Sequence, residues 1–202
     1  MKVGVLVSGA GTNLQALLDA EENRELSPAQ IAVVISSRPD APALDRARAA
    51  GKPAVVVDYK AHPEREAFED KLIEALDAHR VELVVLAGFM RILTSHFVDR
   101  YPLRIINTHP SLLPAFPGVD ATAQALAHGV KVTGVTIHFV DTSLDGGPII
   151  AQLPVAVFPA DDAKTLHARI QHEEHRVLPD VVRRLAAGRF SCEGRHVVER
   201  AD

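Results

Sequence analysis

Tryptophan is absent from these 202 residues, cysteine occurs once, and Phe and Tyr together make up 4% of the chain. A core built from this sequence must therefore be aliphatic. Cys192 alone excludes an internal disulfide and a structural cysteine-rich zinc site, as in a reducing compartment. An excess of positive charge is also missing: 22 Lys and Arg stand against 26 Asp and Glu, for a net charge of −4, and neither half of the chain is basic. Broad electrostatic binding to nucleic acid or to an anionic membrane is thereby disfavoured. If an anion binds, local geometry must hold it. No apolar run approaches the ~20 residues that span a bilayer, and the opening MKVGVLVSGAGTNL breaks at Ser and Gly before a signal-peptide core develops. The expectation is a cytoplasmic, soluble protein.

What remains is ordinary in composition, with 47% hydrophobic and 24% charged residues. This excludes disordered, collagen-like and coiled-coil classes, and the length suits a single domain. Short β-branched runs at Val3–Val7, Ile31–Ile35, Ala54–Val57 and Leu83–Ala87 alternate with helical patterns. Leu14, Leu17 and Leu18 mark the first helix, followed by Pro42–Ala50 and Glu64–His79. That order predicts right-handed β-α-β crossovers and a doubly wound, mainly parallel α/β sheet. Arg104–Asn107 reads as a further strand, and three prolines in His109–Gly118 exclude a helix there. A short helix over Ala121–His128, an antiparallel hairpin from Val132–Val140 and Ile149–Val157, and a long helix over Asp161–Leu185 complete the pattern.

Three segments could carry chemistry. In Ser8-Gly9-Ala10-Gly11-Thr12-Asn13-Leu14, glycines let the backbone approach an anion while the following helix presents its N–H groups and positive dipole end. Leu14 stands where a dinucleotide fingerprint needs its third glycine, and Ser36 and Ser37 replace the acidic residue after the second strand, so a single phosphate fits better than NAD. The same glycines could serve only a tight turn. In Asn107-Thr108-His109, an amide and an imidazole two residues apart point to one side at a strand's carboxyl end, as stabilising an oxyanion requires. In Asp141-Thr142-Ser143-Leu144-Asp145-Gly146-Gly147, Asp145 is a carboxylate that could orient an imidazole and raise its pKa, although such residues also make solvated turns. No G-x-S-x-G elbow supplies an enzyme nucleophile. His172-Glu173-Glu174-His175 matches no zinc motif and lacks a third ligand, so no metal is expected.

VLVSGAGTNLQALLDA at 5–20, VVLAGFMRIL at 84–93, INTHPSLLPAFPG at 106–118 and HFVDTSLDGGPII at 138–150, in this order, resemble the glycinamide ribonucleotide formyltransferases. These belong to a wider folate-dependent group with a Rossmann-like formyltransferase fold. The resemblance implies formyl transfer from 10-formyltetrahydrofolate to the amine of a ribonucleotide in purine biosynthesis. It runs over nearly the whole chain, weakest after about Gly188, and implies a single domain over 1–202: a phosphate/nucleotide-binding half at 1–100, a folate and catalytic half at 101–188, and a tail at 189–202. It further implies phosphate contacts at Gly11, Thr12 and Asn13. Gln171, His172, Glu173 and Glu174 match the segment that contacts the ribonucleotide, Glu174 at the acidic position nearest its amine and ribose. Arg65, Met90, Arg91, Ile92, Leu93, Asn107, Asp141, Thr142, Ser143, Leu144 and Asp145 match folate-lining positions. Asn107 matches the oxyanion-stabilising residue, His109 the proton donor, and Asp145 the residue that raises the histidine's pKa.

One departure is clear: Val119-Asp120-Ala121-Thr122 replaces a histidine-bearing segment found in many relatives, so any histidine contact there is lost. A formyltetrahydrofolate deformylase usually has a regulatory domain before the catalytic one, whereas Met1 opens directly into the first strand. A methionyl-tRNA formyltransferase needs a basic C-terminal domain. A non-catalytic folate or nucleotide binder would not need Asn107, His109 and Asp145 together. Apart from the place of His172 in the segment matched to ribonucleotide contact, Cys192, His138, His167 and His172 carry no readable role.

Overall fold

A computed structural model describes residues 1–200. The elements in chain order are β1 (Lys2–Val7), α1 (Thr12–Glu22), β2 (Gln30–Ser36), α2 (Ala43–Ala49), β3 (Ala54–Val56), a 3-10 turn (Tyr59–Ala61), α3 (Arg65–Ala78), β4 (Leu83–Leu86), α4 (Ser95–Val98), β5 (Ile105–His109), α5 (Ala121–Ala127), β6 (Val132–Phe139), β7 (Ile149–Ala156), α6 (Ala163–Ala186), β8 (Phe190–Glu193) and β9 (His196–Glu199). One nine-stranded sheet runs in the order β3-β2-β1-β4-β5-β6-β7-β9-β8. The first five strands are mutually parallel, and β5-β6 and β6-β7 are antiparallel. This is the doubly wound sheet with a C-terminal hairpin.

Period-two alternation explains why both faces are covered. Val3, Val5 and Val7 of β1 pack with Leu14 and Leu17 of α1 and with Leu166, Ile170 and Leu178 of α6. Leu6 joins Phe68, Leu72 and Leu76 of α3 and Phe97 of α4 in a second core on the opposite face. Strands covered on both sides are apolar along their whole length, which is why β1, β2 and β4 read as continuous hydrophobic runs. The chain winds from β1 outward to β3, then returns to β4 on the other side of β1. The carboxyl ends of β1, β4 and β5 therefore open on one crevice, the usual ligand position in such sheets.

α6 starts at a capping box in which Asp162 accepts from the Thr165 N–H at 2.7 Å and Thr165 Oγ1 accepts from the Asp162 N–H at 2.9 Å. It runs for 24 residues with Pro179 inside it, roughly 36 Å at 1.5 Å per residue. Three features go beyond the sequence reading. β5 extends two residues past Asn107, to His109, α4 is a single turn without a clear periodic signal, and residues 190–199, read as part of a tail, form a hairpin whose β9 pairs with β7 at Ile149 and His196. Residues 201 and 202 lie outside the described residues. No helix among the described residues is long and apolar enough to cross a membrane.

Candidate active site

The loop after β1 is built from main chain. Ser8 is buried; its hydroxyl accepts from the Met90 N–H at 2.9 Å and hydrogen-bonds the Ser37 hydroxyl at 2.7 Å, tying together the ends of β1, β2 and β4. Gly11 has φ +73°, and a Cβ there would lie 2.6 Å from Ala43 Cβ and 2.8 Å from Ala43 Cα. Only glycine fits, in both conformation and space. The first helical hydrogen bond of α1 runs from the Gln15 N–H to the Gly11 carbonyl at 2.9 Å. No side chain caps the helix, and its first turn holds no acidic residue. The N–H groups of Thr12, Asn13 and Leu14 therefore lack intrahelical acceptors and sit at the positive dipole end, as anion binding requires.

α6 closes this region from the side. Gln171 donates from Nε2 to Thr12 Oγ1 at 2.9 Å. Glu174 interrupts an apolar stripe of Leu166, Ile170, Val177, Leu178 and Val181, a position where helical spacing predicts another aliphatic residue. It is buried, and accepts from Asn13 Nδ2 at 3.3 Å and from Thr108 Oγ1 at 3.4 Å. Burial pushes its carboxyl up from the ordinary value, while these two long hydrogen bonds pull it down by less. Asn13 Oδ1 is buried without a partner. Thus Thr12, Asn13, Gln171 and Glu174 come together. Glu173 instead pairs with Arg176 at 2.5 Å, and His172 is exposed.

The second region is built from side chains. Strand alternation sends Thr108 toward Glu174 and turns Asn107 and His109 to the opposite face of the sheet. His109 is 4% exposed. Its Nε2 lies 2.8 Å from the Phe116 carbonyl, and its Nδ1 lies 3.4 Å from Asp145 Oδ2. An N–H at Nε2 donates to that carbonyl, and Nδ1 faces the Asp145 carboxylate. Asp145 is fixed in turn by the Gly118 N–H, which donates to Oδ2 at 2.7 Å. The Asp141–Pro148 loop lies close against the end of β6: a Cβ on Gly147 would lie 1.9 Å from the Phe139 carbonyl.

His138 is the residue that sequence reasoning missed. It pairs with Asn107 across the β5-β6 ladder and is 2% exposed. Its Nδ1 lies 2.8 Å from the Phe139 carbonyl and its Nε2 lies 3.2 Å from Asn107 Nδ2. Burial pushes its pKa down, chiefly by desolvating the cation. The neutral ring then carries its hydrogen on Nδ1 and accepts at Nε2. This turns the Asn107 amide nitrogen, not its oxygen, toward His138 and leaves the second N–H available to a ligand. The strand register, visible once the hairpin is placed, was the signal that could have found it.

The remaining folate-matching positions are dispersed around the crevice. Met90 and Ile92, on the loop after β4, are 70% and 68% exposed, and Leu144, on the loop after β6, is 61% exposed. Leu93 is buried, and the Arg91 guanidinium lies 3.6 Å from the centre of the Tyr59 ring. Arg65 is exposed as the first residue of α3. Asp141 accepts from the Ser143 N–H at 2.9 Å and from its hydroxyl, which folds Asp141–Ser143 into a local turn, and Thr142 is exposed. In place of the histidine-bearing segment, Gln124 Nε2 donates to the carbonyls of Pro117 and Val119 at 3.2 and 2.9 Å. A groove of about 700 Å³ between α1 and α6, lined by Thr12, Gln15, Arg46, His175 and Asp180 among others, includes Thr12 but neither Gly11 nor Asn13, and none of Asn107, His109 and Asp145. Among the described residues no group of three His, Cys, Asp or Glu is placed to hold a metal ion.

A family model described as formyl transferase matches residues 1–182. The chain is similar to the phosphoribosylglycinamide formyltransferase of Mycobacterium tuberculosis (strain ATCC 25618 / H37Rv), 46% identical over 191 residues that cover 95% of this chain and 87% of that protein. It is also 45% identical, over 188 residues and 93% of its length, to the trifunctional purine biosynthetic protein adenosine-3 of Drosophila pseudoobscura pseudoobscura, of which it spans 14%. The crystal structure of glycinamide ribonucleotide transformylase 1 from Symbiobacterium toebii superposes with a TM-score of 0.95 at 51% identity, covering 98% of this chain and 93% of that one. Sequence, sheet topology and a bacterial relative covered over 87% of its length agree, and the chain belongs to the formyl transferase family, among the phosphoribosylglycinamide formyltransferases.

Proposed function

We propose that this chain transfers the formyl group of 10-formyltetrahydrofolate to the amine of glycinamide ribonucleotide in purine biosynthesis, with Asn107, His109 and Asp145 carrying the chemistry. The observation that carries the reading is their convergence at the end of β5, with Asp145 3.4 Å from His109 and the Asn107 amide oriented by His138 at 3.2 Å. The substrate amine attacks the formyl carbon and gives a tetrahedral intermediate with an oxyanion. The free Asn107 N–H and the His109 cation stabilise that charge, and Asp145 holds the imidazolium. Collapse breaks the bond to the folate nitrogen, which takes up a proton as the new amide loses one. The phosphate rests on the N–H groups after Gly11, and Glu174 accepts from the amine or ribose hydroxyls. The exposed side chains of Met90, Ile92 and Leu144 cover the folate. The enzyme so described is cytoplasmic, acts on small molecules, and works as a monomer or homodimer.

A deformylase would use water where the amine stands. The Thr12, Asn13, Gln171 and Glu174 group favours the amine substrate, because water needs no such docking site. Incubation with 10-formyltetrahydrofolate, with and without glycinamide ribonucleotide, tests this. Formyl on the ribonucleotide is the expected product, while formate released at equal rates without the amine would assign a deformylase, and binding without turnover would assign a binder.

A further inference from the structure

Arg46 lies behind the glycine loop, in α2 and 36 residues from it in sequence, and no part of the proposed reaction uses it. Its Nε donates to the Ala10 carbonyl at 2.9 Å, and one terminal nitrogen donates to Gln15 Oε1 at 3.0 Å. Gln15 is itself oriented, since its amide nitrogen donates to Asp19 Oδ1 at 2.7 Å; this leaves its oxygen for Arg46. One turn earlier in α2, the Ala43 N–H donates to the Gly9 carbonyl at 3.2 Å. α2 therefore grips two successive carbonyls of the loop from the same side.

A trans peptide points its C=O and its N–H in opposite directions, and neither loop peptide is cis. Fixing the Gly9 and Ala10 carbonyls toward α2 turns the N–H groups of Ala10 and Gly11 away from it. Consecutive N–H groups presented on one side, one of them from a residue in the left-handed region, form an anion-binding concavity. It continues into the uncapped N–H groups of α1.

We propose that Arg46 is a positioning residue for the substrate's phosphate: by holding the Ala10 carbonyl it aims the Gly11 N–H into the phosphate site. The proposal rests on the phosphate reading of the glycine loop. It also explains how a chain with no net positive charge organises an anion site: the nearby cation orders backbone donors and need not touch the phosphate.

The test measures kcat and both KM values for the full enzyme, for Arg46→Met and for Arg46→Lys, with glycinamide ribonucleotide and with the riboside that lacks the phosphate. Arg46→Met is expected to raise KM for the ribonucleotide about tenfold, the order of one charge-assisted hydrogen bond. It should leave kcat, KM for the folate and turnover of the riboside within about twofold. Arg46→Lys should recover only part of the loss, because one ammonium does not hold Ala10 and Gln15 with the rigid geometry of a guanidinium. An unchanged ribonucleotide KM in Arg46→Met, an equal loss with the riboside, or complete recovery by Lys would each overturn the role of Arg46. If the unaltered enzyme itself did not distinguish ribonucleotide from riboside, the phosphate reading of the loop would fail instead.

Discussion

At the glycine loop the donors offered to a ligand are main-chain N–H groups, held by Gly11, α1 and the Ala43 and Arg46 contacts. At the end of β5 the groups gathered are the side chains of Asn107, His109 and Asp145, held by the Phe116 carbonyl, the Gly118 N–H and His138. Main-chain donors have a fixed charge distribution and suit a group that keeps its charge throughout the reaction, such as a phosphate. Side chains that titrate or rotate suit a centre where charge appears and vanishes. The first region should therefore set how tightly the ribonucleotide binds, and the second how fast the formyl group moves.

The same difference decides what the sequence revealed. Main-chain sites leave local marks, and the Gly9-Ala10-Gly11 turn before an apolar helical pattern was readable without any fold. Asn107 and His109 were readable as a pair because a strand puts alternate residues on one side. Their supports were not readable. His138 is an unremarkable strand residue until the antiparallel register places it opposite Asn107, and the Phe116 carbonyl has no side-chain signal. The alternating strands and helices gave the doubly wound sheet, since periodicity reports burial on one face or two. The β8-β9 hairpin escaped because its strands are four residues long and partly exposed, so neither period is marked.

Changes at the side-chain end should have the largest effects. His109→Ala removes the imidazole held between Phe116 and Asp145, and kcat should fall by about 10²–10³ with ribonucleotide KM changed little; steady-state kinetics at saturating folate read this directly. His138→Leu leaves the triplet in place and frees the Asn107 amide to rotate. A loss of about tenfold in kcat is expected, the order of one misplaced hydrogen bond, with partial recovery in His138→Gln, which restores an acceptor. Equal activity in the Leu and Gln variants would mean that His138 only fills space.

The smallest effect is expected at Glu174, and its sign is informative. Burial raises the carboxyl's pKa in the folded state, so the folded protein binds this proton more tightly than the unfolded chain does. The associated stability is present below the unfolded-state pKa and is lost as pH rises through the folded-state value. Glu174→Gln removes that loss. Its Tm should exceed that of the unaltered protein by a few degrees at neutral pH, the order that ~1 kcal/mol produces in a chain of this size, and the gap should narrow toward acid. Ribonucleotide KM should rise in the same variant. A lower Tm at neutral pH would show that Glu174 stabilises the fold through Asn13 and Thr108.

The most direct measurement places the two regions side by side: kcat and ribonucleotide KM for Asn107→Ala and Gly11→Ala under identical conditions. Asn107→Ala should lose at least about 100-fold in kcat and keep its KM within a few fold. Gly11→Ala, forced against Ala43 in a left-handed conformation, should raise KM about tenfold or more while a folded fraction retains most of its kcat. A kcat within tenfold of the unaltered enzyme for Asn107→Ala, or a Gly11→Ala effect confined to kcat, would contradict the division of labour on which the proposed mechanism rests.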